Sequence, residues 1–381
     1  MAKSSFVASP AKIKVVGLGG GGCNAVTRMV REEIAGVEFI AMNTDAQALA
    51  ICEAPTTVQI GDKLTKGLGV GGDHNLGQRA AEESREELRD LVSGADMVFI
   101  TAGMGGGTGT GAAPVVAEMA KQNGALTIAV VTKPFTFEGT HRCEVADDGI
   151  NRLLGRVDTL IIIPNDRLLA LCDQKTGVDS AFQLADDVLR HGVQAIAEVI
   201  TTPGMINLDF ADVKAVMKDA GPAWMSIGRG SGQNRATDAA KEALASPLLD
   251  VSIQGSRAVL YNVVGGNNLT LFEVNQAADV IRAAVDPEAN IIFGVANDPA
   301  MENEVRITLI TTGFTAKLAP TGAEEEDELS KLLKGLKSED ELDMPSFLRR
   351  PLYNRRHQPV PPSSQSLETN TTRAAKQSSL F

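Results

Sequence analysis

Five short apolar runs punctuate the first half of the chain, at residues 13–16, 37–42, 97–102, 126–131 and 159–163. They are too short for helices and lack the in-and-out alternation of a half-buried strand, which predicts strands covered on both faces. Between them lie helix-period patterns at 24–33, 76–92 and 112–122. Strand and helix alternate, so a parallel sheet flanked by helices is predicted. A longer pattern follows, with Ala181, Leu184, Ala185, Val188, Leu189, Val193, Ile196, Ala197 and Ile200 on one stripe. It predicts a single helix over 178–201, about 36 Å long at 1.5 Å per residue. The breakers Thr202, Pro203 and Gly204 stop it. Beyond them, strands are predicted at 224–229, 258–264, 290–295 and 304–311, and helices at 237–245 and 272–285, a second and smaller α/β domain.

The composition narrows the function classes. Lys and Arg number 36 against 48 Asp and Glu, and the net charge of −12 argues against nucleic acid as the main ligand. Aromatic residues are only 4% of the 381, too few for base-stacking platforms. Cys23, Cys52, Cys143 and Cys172 form no Cys-x-x-Cys pair, so a structural zinc site is not expected and a reducing, cytoplasmic setting is. No apolar run is long enough to span a bilayer, and residues 1–11 are too polar for a signal peptide and read as a flexible arm. After about residue 317 the pattern fades. An acidic stretch around Glu324–Glu328 leads to Arg349, Arg350, Arg355 and Arg356 and then a Pro/Ser/Thr-rich finish, all expected to be disordered.

Candidate chemistry sits in two glycine-rich segments. Gly17-Leu18-Gly19-Gly20-Gly21-Gly22-Cys23-Asn24 follows a predicted strand and opens a helix, and Gly17, Gly19 and Gly22 satisfy Gly-x-Gly-x-x-Gly. Gly103-Met104-Gly105-Gly106-Gly107-Thr108-Gly109-Thr110-Gly111 occupies the same kind of junction. Glycine lets a ligand approach the backbone closely, and a helix N-terminus offers free N–H groups with about half a positive charge. Two such loops at strand C-terminal ends face one crevice and suit a polyphosphate. A P-loop with its lysine is absent, which argues against a Walker-type NTPase. A dinucleotide site wants an acid about 20 residues past the glycines; Asn43 stands there and Asp45 comes late. An NAD-dependent oxidoreductase and a non-catalytic nucleotide-binding scaffold therefore stay open as alternatives.

Gly105 to Gly111 resembles the phosphate loop of the tubulin/FtsZ GTPase family. The likeness extends in order through Gly19–Asn24, Asn43-Thr44-Asp45, Asn165-Asp166-Arg167-Leu168-Leu169 and Asn207-Leu208-Asp209-Phe210-Ala211-Asp212, over about residues 12–316. It is nearer the bacterial cell-division branch than tubulin, because Leu342-Asp343-Met344-Pro345-Ser346-Phe347-Leu348-Arg349 is similar to that branch's partner-binding peptide. The resemblance implies a Rossmann-like GTP-binding domain (12–177), a central helix (178–203), a C-terminal activation domain (204–316), an acidic linker (317–340), a partner peptide (341–351) and a basic tail (352–381). It implies a GTPase that assembles head to tail with itself at mid-cell and is tied to the membrane by partners gripping residues 343–350.

Site roles follow from the same resemblance. Gly20, Gly21, Gly22, Cys23 and Asn24 would take the α- and β-phosphates, and Gly105, Gly106, Gly107, Thr108 and Gly109 the β- and γ-phosphates. Gly71 and Gly72 would lie near the γ-phosphate and Mg²⁺, with no metal-ligand set from the protein. Asn43, Thr132 and Pro134 would line the nucleotide, Glu138 and Arg142 would meet ribose and phosphates, and Asn165 and Asp186 would read guanine. Phe182, one helical turn before Asp186, would stack on the base, while Asp187 is expected on the solvated face. Asn207, Asp209 and Asp212 would enter the nucleotide site of the next subunit and orient the attacking water, although Asp209 or Asp212 is equally suited to capping a helix. His74 departs from the family, which usually has Asn-Pro after the glycines, and Gly72 stands where Ala is common.

Overall fold

The computed structural model describes residues 11–172, 177–201, 209–248 and 256–313. Asn207, the linker, the partner peptide, the basic tail and all but residue 11 of the arm lie outside the described residues. Each predicted strand forms and extends slightly beyond its apolar run. β1 (Ile13–Leu18), β2 (Val37–Asn43), β3 (Thr56–Gln59), β4 (Met97–Gly103), β5 (Leu126–Lys133) and β6 (Thr159–Pro164) pair in parallel in the order β3-β2-β1-β4-β5-β6. β7 (Gly221–Ser231) pairs in parallel with the first residues of β6 and carries the sheet onward. There β10 (Glu304–Thr312) runs antiparallel between β7 and β8 (Ala258–Gly265), and β9 (Asn290–Asn297) lies parallel to β8.

Around the first six strands lie α1 (Gly19–Arg31), α2 (Ala46–Ala50), α3 (Asp62–Thr65), α4 (His74–Glu83), α5 (Arg85–Val92), α6 (Thr108–Gln122), α7 (Thr140–Leu154) and α8 (Asn165–Leu168). Then come the long α9 (Val178–Thr201), α10 (Phe210–Met217), α11 (Arg235–Leu244) and α12 (Leu271–Ala284). None of the described helices is long and apolar enough to cross a membrane. Alternate strand residues feed two cores. Val15, Phe99 and Ile128 pack with Val26 and Met29 of α1 and Val193 and Ile196 of α9. Val16, Ile100 and Ala129 pack with Leu88 of α5, Val116 of α6 and Ile150 of α7. A third core joins α11 and α12 to β8, β9 and β10. The continuous apolar runs are thus explained by burial on both faces.

Two helices differ from expectation. The pattern at 76–92 divides into α4 and α5 at Ser84, whose Oγ accepts the Gly61 N–H at 3.1 Å and whose backbone leaves the helical region. α1 starts at Gly19, earlier than the pattern suggests, because its first turn consists of glycines whose poor helix propensity hides it. Those glycines are needed for packing. A methyl on Gly22 would lie 2.4 Å from the Thr101 carbonyl oxygen of β4, so only a residue without Cβ lets α1 press onto the sheet. We expect Gly22→Ala to destabilise the fold by about 1–3 kcal/mol, read as a lowered urea midpoint.

Candidate active site

The chain runs β1, β2, β3 outward on one side and β4, β5, β6 on the other, so the strand order reverses between β1 and β4. In open α/β sheets ligands bind at that reversal, outside the strand C-terminal ends. A cavity of about 460 Å³ opens there, at the ends of β1, β2, β4, β5 and β6. Gly20, Gly21 and Asn24 from the start of α1 line one part of it, and Gly106, Gly107, Thr108 and Gly109 from the start of α6 another. Neither helix carries an acid in its first turn. Both N-termini therefore aim free N–H groups and positive dipole ends at one space, an arrangement suited to phosphates.

Packing of backbone against backbone holds the loops in place. A methyl on Gly77 of α4 would lie 2.3 Å from the Gly107 carbonyl oxygen, and one on Gly107 2.8 Å from that of Gly71. The segment carrying Gly69, Val70 and Gly71 is thereby drawn to the cavity wall. Asp73 caps α4 by accepting the N–H groups of Asn75 and Leu76 at 2.9 and 3.1 Å, and His74 turns to Asp148 of α7, 3.3 Å away. A buried hydrogen bond of 2.8 Å joins the Thr44 and Thr108 hydroxyls and ties the segment after β2 to the phosphate loop. Asn43 Oδ1 accepts the Thr44 N–H at 2.9 Å and supports the same turn.

The other end of the cavity carries an aromatic ring, a carboxylate and a buried amide. Phe182, in the first turns of α9, is 40% exposed and meets Phe135 at right angles with ring centroids 5.5 Å apart. Asp186 lies one turn on, 3.4 Å from Arg28 Nε. Burial pushes its carboxyl up to about 6, with the Arg28 guanidinium pulling the other way. Asn165 lines the same region, is 5% exposed, and its Oδ1 has no hydrogen-bond partner. An orphaned buried acceptor costs about 1–3 kcal/mol, a debt that a donor on a bound ligand removes. Glu138 and Arg142 pair at 2.9 Å on the rim, and Glu138 also accepts the Phe135 N–H at 2.8 Å. Thr132 and Pro134 complete that wall.

Most of the residues read from the sequence therefore meet in one cavity. Gly22, Cys23, Gly72 and Gly105 lie outside its lining. Gly22 backs onto β4, Cys23 points its thiol at the Met42 carbonyl, and Gly105 turns the loop at φ +91° against the Arg142 backbone. Asp209 and Asp212 are also outside it, beyond the C-terminal end of α9. Asp209 caps α10, accepting the Ala211 N–H, and Asp212 is exposed in the first turn. Asp187 keeps 38% of its side chain exposed, as expected of a solvated face, and pairs there with Arg28 at 3.6 Å and Arg190 at 3.7 Å. Sequence reading missed Ala48 and Ala185 among the lining residues and took Asp45, Gly103 and Met104 only as parts of motifs, without a site role. Gly103 ends a strand, and Ala185 lies one turn from Phe182, so position alone was the signal for both.

A parallel sheet whose reversal point holds two helix N-termini and a cavity with an aromatic wall defines a nucleotide-binding type of α/β fold. Residues 12–173 match the tubulin/FtsZ family GTPase domain, and residues 221–315 the FtsZ family C-terminal domain. The chain is 48% identical to an empty FtsZ dimer structure from M. jannaschii, covering 80% of this chain and 89% of that one with a TM-score of 0.78. A mutant FtsZ structure from M. jannaschii matches at the same identity and TM-score over 92% of its length. CetZ1 from Haloferax volcanii, solved as a GDP-bound monomer, shares the fold at 20% identity and a TM-score of 0.70, over 85% of this chain and 99% of that one. The chain belongs to the FtsZ family and is a cytoskeletal GTPase of the two-domain α/β type.

Two outcomes test the cavity. Gly20 has open space where a methyl would go, so Gly20→Ala should leave stability intact and weaken nucleotide binding. Asp186 can offer both oxygens to donors on a ligand only when ionised, and burial pushes its carboxyl up to about 6. Nucleotide affinity should then hold above that pH and fall about tenfold per unit below it, and Asp186→Asn should flatten the profile, both read by fluorescent-nucleotide titration.

Proposed function

We propose that the protein is a head-to-tail polymerising GTPase of bacterial cell division, hydrolysing GTP where successive subunits meet. The observation that carries this reading is the separation of Asp209 and Asp212 from the phosphate loops of their own chain. Phe182, Ala185 and Asp186 mark the nucleotide end of α9, while Val199 near its other end packs under Gly294 of β9. Those positions are about 20 Å apart along the helix, and Asp209 follows beyond. An acidic pair so placed serves a phosphate site only if that site belongs to another copy.

Apolar exposure supports the same polarity. Leu68 and Phe137 are 69% and 63% exposed, adjacent in the chain to Gly69 and Glu138 of the cavity lining. Leu271 and Phe272, 72% and 70% exposed, border an open groove with Ile291 and Phe293, the latter beside Gly294. Two apolar patches on different parts of the chain suit a heterologous contact, which continues into a filament when it does not close. The FtsZ of M. jannaschii was solved as a dimer.

In this reading the N–H groups of Gly20, Gly21, Thr108 and Gly109 hold the phosphates, and Asn165 and Asp186 face the guanine edge while Phe182 stacks on it. Arg142, held by Glu138, closes the ribose and phosphate side. Asp212 of one subunit, carried in the first turn of α10, orients water at the γ-phosphate of the next, with Asp209 fixing the start of that helix and Asn207 preceding it. Among the described residues no cluster of three His, Cys, Asp or Glu stands ready for a metal ion. Mg²⁺ would be held chiefly by phosphate oxygens and water, as its preference for octahedral oxygen ligation allows. We further assign residues 12–177 to nucleotide binding, 178–203 to the spacer and 204–316 to activation, with the segment 343–350 docking membrane-tethering division partners at mid-cell.

Phosphate release measured across protein concentration tests the shared site. Specific activity should rise steeply with concentration, together with light scattering; constant activity at high dilution would refute it. Asp212→Ala should lower turnover by on the order of 10²-fold with nucleotide affinity unchanged.

A further inference from the structure

Beside the nucleotide cavity a second cleft of about 460 Å³ runs between α1 and the segment after α2, bordered by Thr27, Arg28, Arg31, Ile51 and Cys52. Cys52 is half-buried at its edge, and Cys23 lies behind it, 2% exposed on α1. Both thiols are free, and each is the neighbour that most strongly shifts the other's titration. Cys52 Sγ also lies 3.3 Å from Thr27 Oγ1 and 3.6 Å from the Cys23 carbonyl oxygen. We propose that Cys23 and Cys52 are a peroxide-responsive dithiol, with Cys52 attacking and Cys23 resolving, which closes to a disulfide joining α1 to the segment after α2.

The roles follow from the surroundings. Cys52 is reached from the cleft, and the neighbouring Cys23, with the Thr27 hydroxyl and the Ala54 N–H, holds its pKa below the ordinary thiol value against the opposing effect of burial. The opposing charge of adjacent Glu53 is met by Arg31, paired with it at 2.6 and 2.9 Å. Burial and the neighbouring Cys52 hold Cys23 protonated. The Cys52 thiolate attacks one oxygen of hydrogen peroxide, the O–O bond breaks, and the departing hydroxide takes a proton to leave as water, giving a sulfenic acid. Cys23 then gives up its proton and attacks the Cys52 sulfur, the S–O bond breaks, and a second water leaves as the S–S bond forms. Two electrons pass from the two sulfurs to one peroxide. Asn24, next to Cys23, and Ala48 of α2 border both the cleft and the nucleotide cavity, so the bond would link two walls of that cavity.

The test is peptide mass spectrometry on the full chain after stoichiometric peroxide and alkylation. The expected product is a linked Cys23–Cys52 peptide pair, with alkylatable thiols falling from four to half that number and recovering with dithiothreitol. Cys52→Ser should give no linked pair and leave Cys23 reduced, and Cys23→Ser should leave a Cys52 sulfenic acid that dimedone traps. Should Cys23→Ser fail to fold, the parent chain and Cys52→Ser decide the matter. Oxidation first at Cys143 or Cys172, sulfinic acid at Cys52 without a linked peptide, or no reaction would overturn the proposal. None of these outcomes depends on the nucleotide reading.

Discussion

The site depends on how closely bare backbones approach one another around the sheet's reversal point. At Gly22 against Thr101, Gly77 against Gly107 and Gly111 against His74, an added methyl would stand 2.4, 2.3 and 2.1 Å from a carbonyl oxygen. No side chain larger than hydrogen leaves α1, α4 and α6 where they are. These contacts bring the N-termini of α1 and α6 to one crevice, so a polyphosphate can be held by N–H groups alone. Each such charge-assisted bond is worth about 1.5–3 kcal/mol, and several replace the lysine that other phosphate loops use.

The long helix converts that local arrangement into a property of the whole chain. Its first turns present Phe182 and Asp186 to the cavity, and its last turns pack under β9. Packing of Val193 and Ile196 into the sheet core fixes the helix between those two regions. In the proposed reading, one end of such a chain holds nucleotide and the other carries the acids of α10. That polarity favours contacts between unlike ends, the kind that propagate.

Much of this was legible in the sequence because parallel strands buried on both faces write unbroken apolar runs. The predicted strands were found for that reason, and α9 because its stripe of Ala, Leu, Val and Ile keeps one period from Ala181 to Ile200. β3 escaped notice because Thr56–Gln59 buries little besides Val58 at the sheet edge. α7 and α10 were unread, since His141, Arg142 and Asp212 interrupt any simple stripe. Ser84 splits a periodic pattern through a bond to Gly61, a partner far away in sequence. In the site, glycine clustering exposed both phosphate loops. The Thr44–Thr108 bond and the orphaned Asn165 oxygen left no such trace, because each exists only after β1, β2, β4 and β6 have been brought together.

An acidic chain that binds a polyanion must also keep its own carboxylates from opposing the ligand. The cavity is lined by Asp45, Glu138 and Asp186 with Arg142 as the cation among them, so composition alone would predict repulsion. Each carboxylate is already engaged. Asp45 accepts the N–H groups of Gln47 and Ala48 at the start of α2, Glu138 faces Arg142 and the Phe135 N–H, and Asp186 faces Arg28. The first turns of α1 and α6 contain no acid at all. Negative charge is thus confined to places where a donor or guanidinium already answers it, leaving the two helix N-termini as the unopposed positive field in the crevice. This local sorting, and not the net charge of −12, sets where in the crevice a polyanion is least opposed.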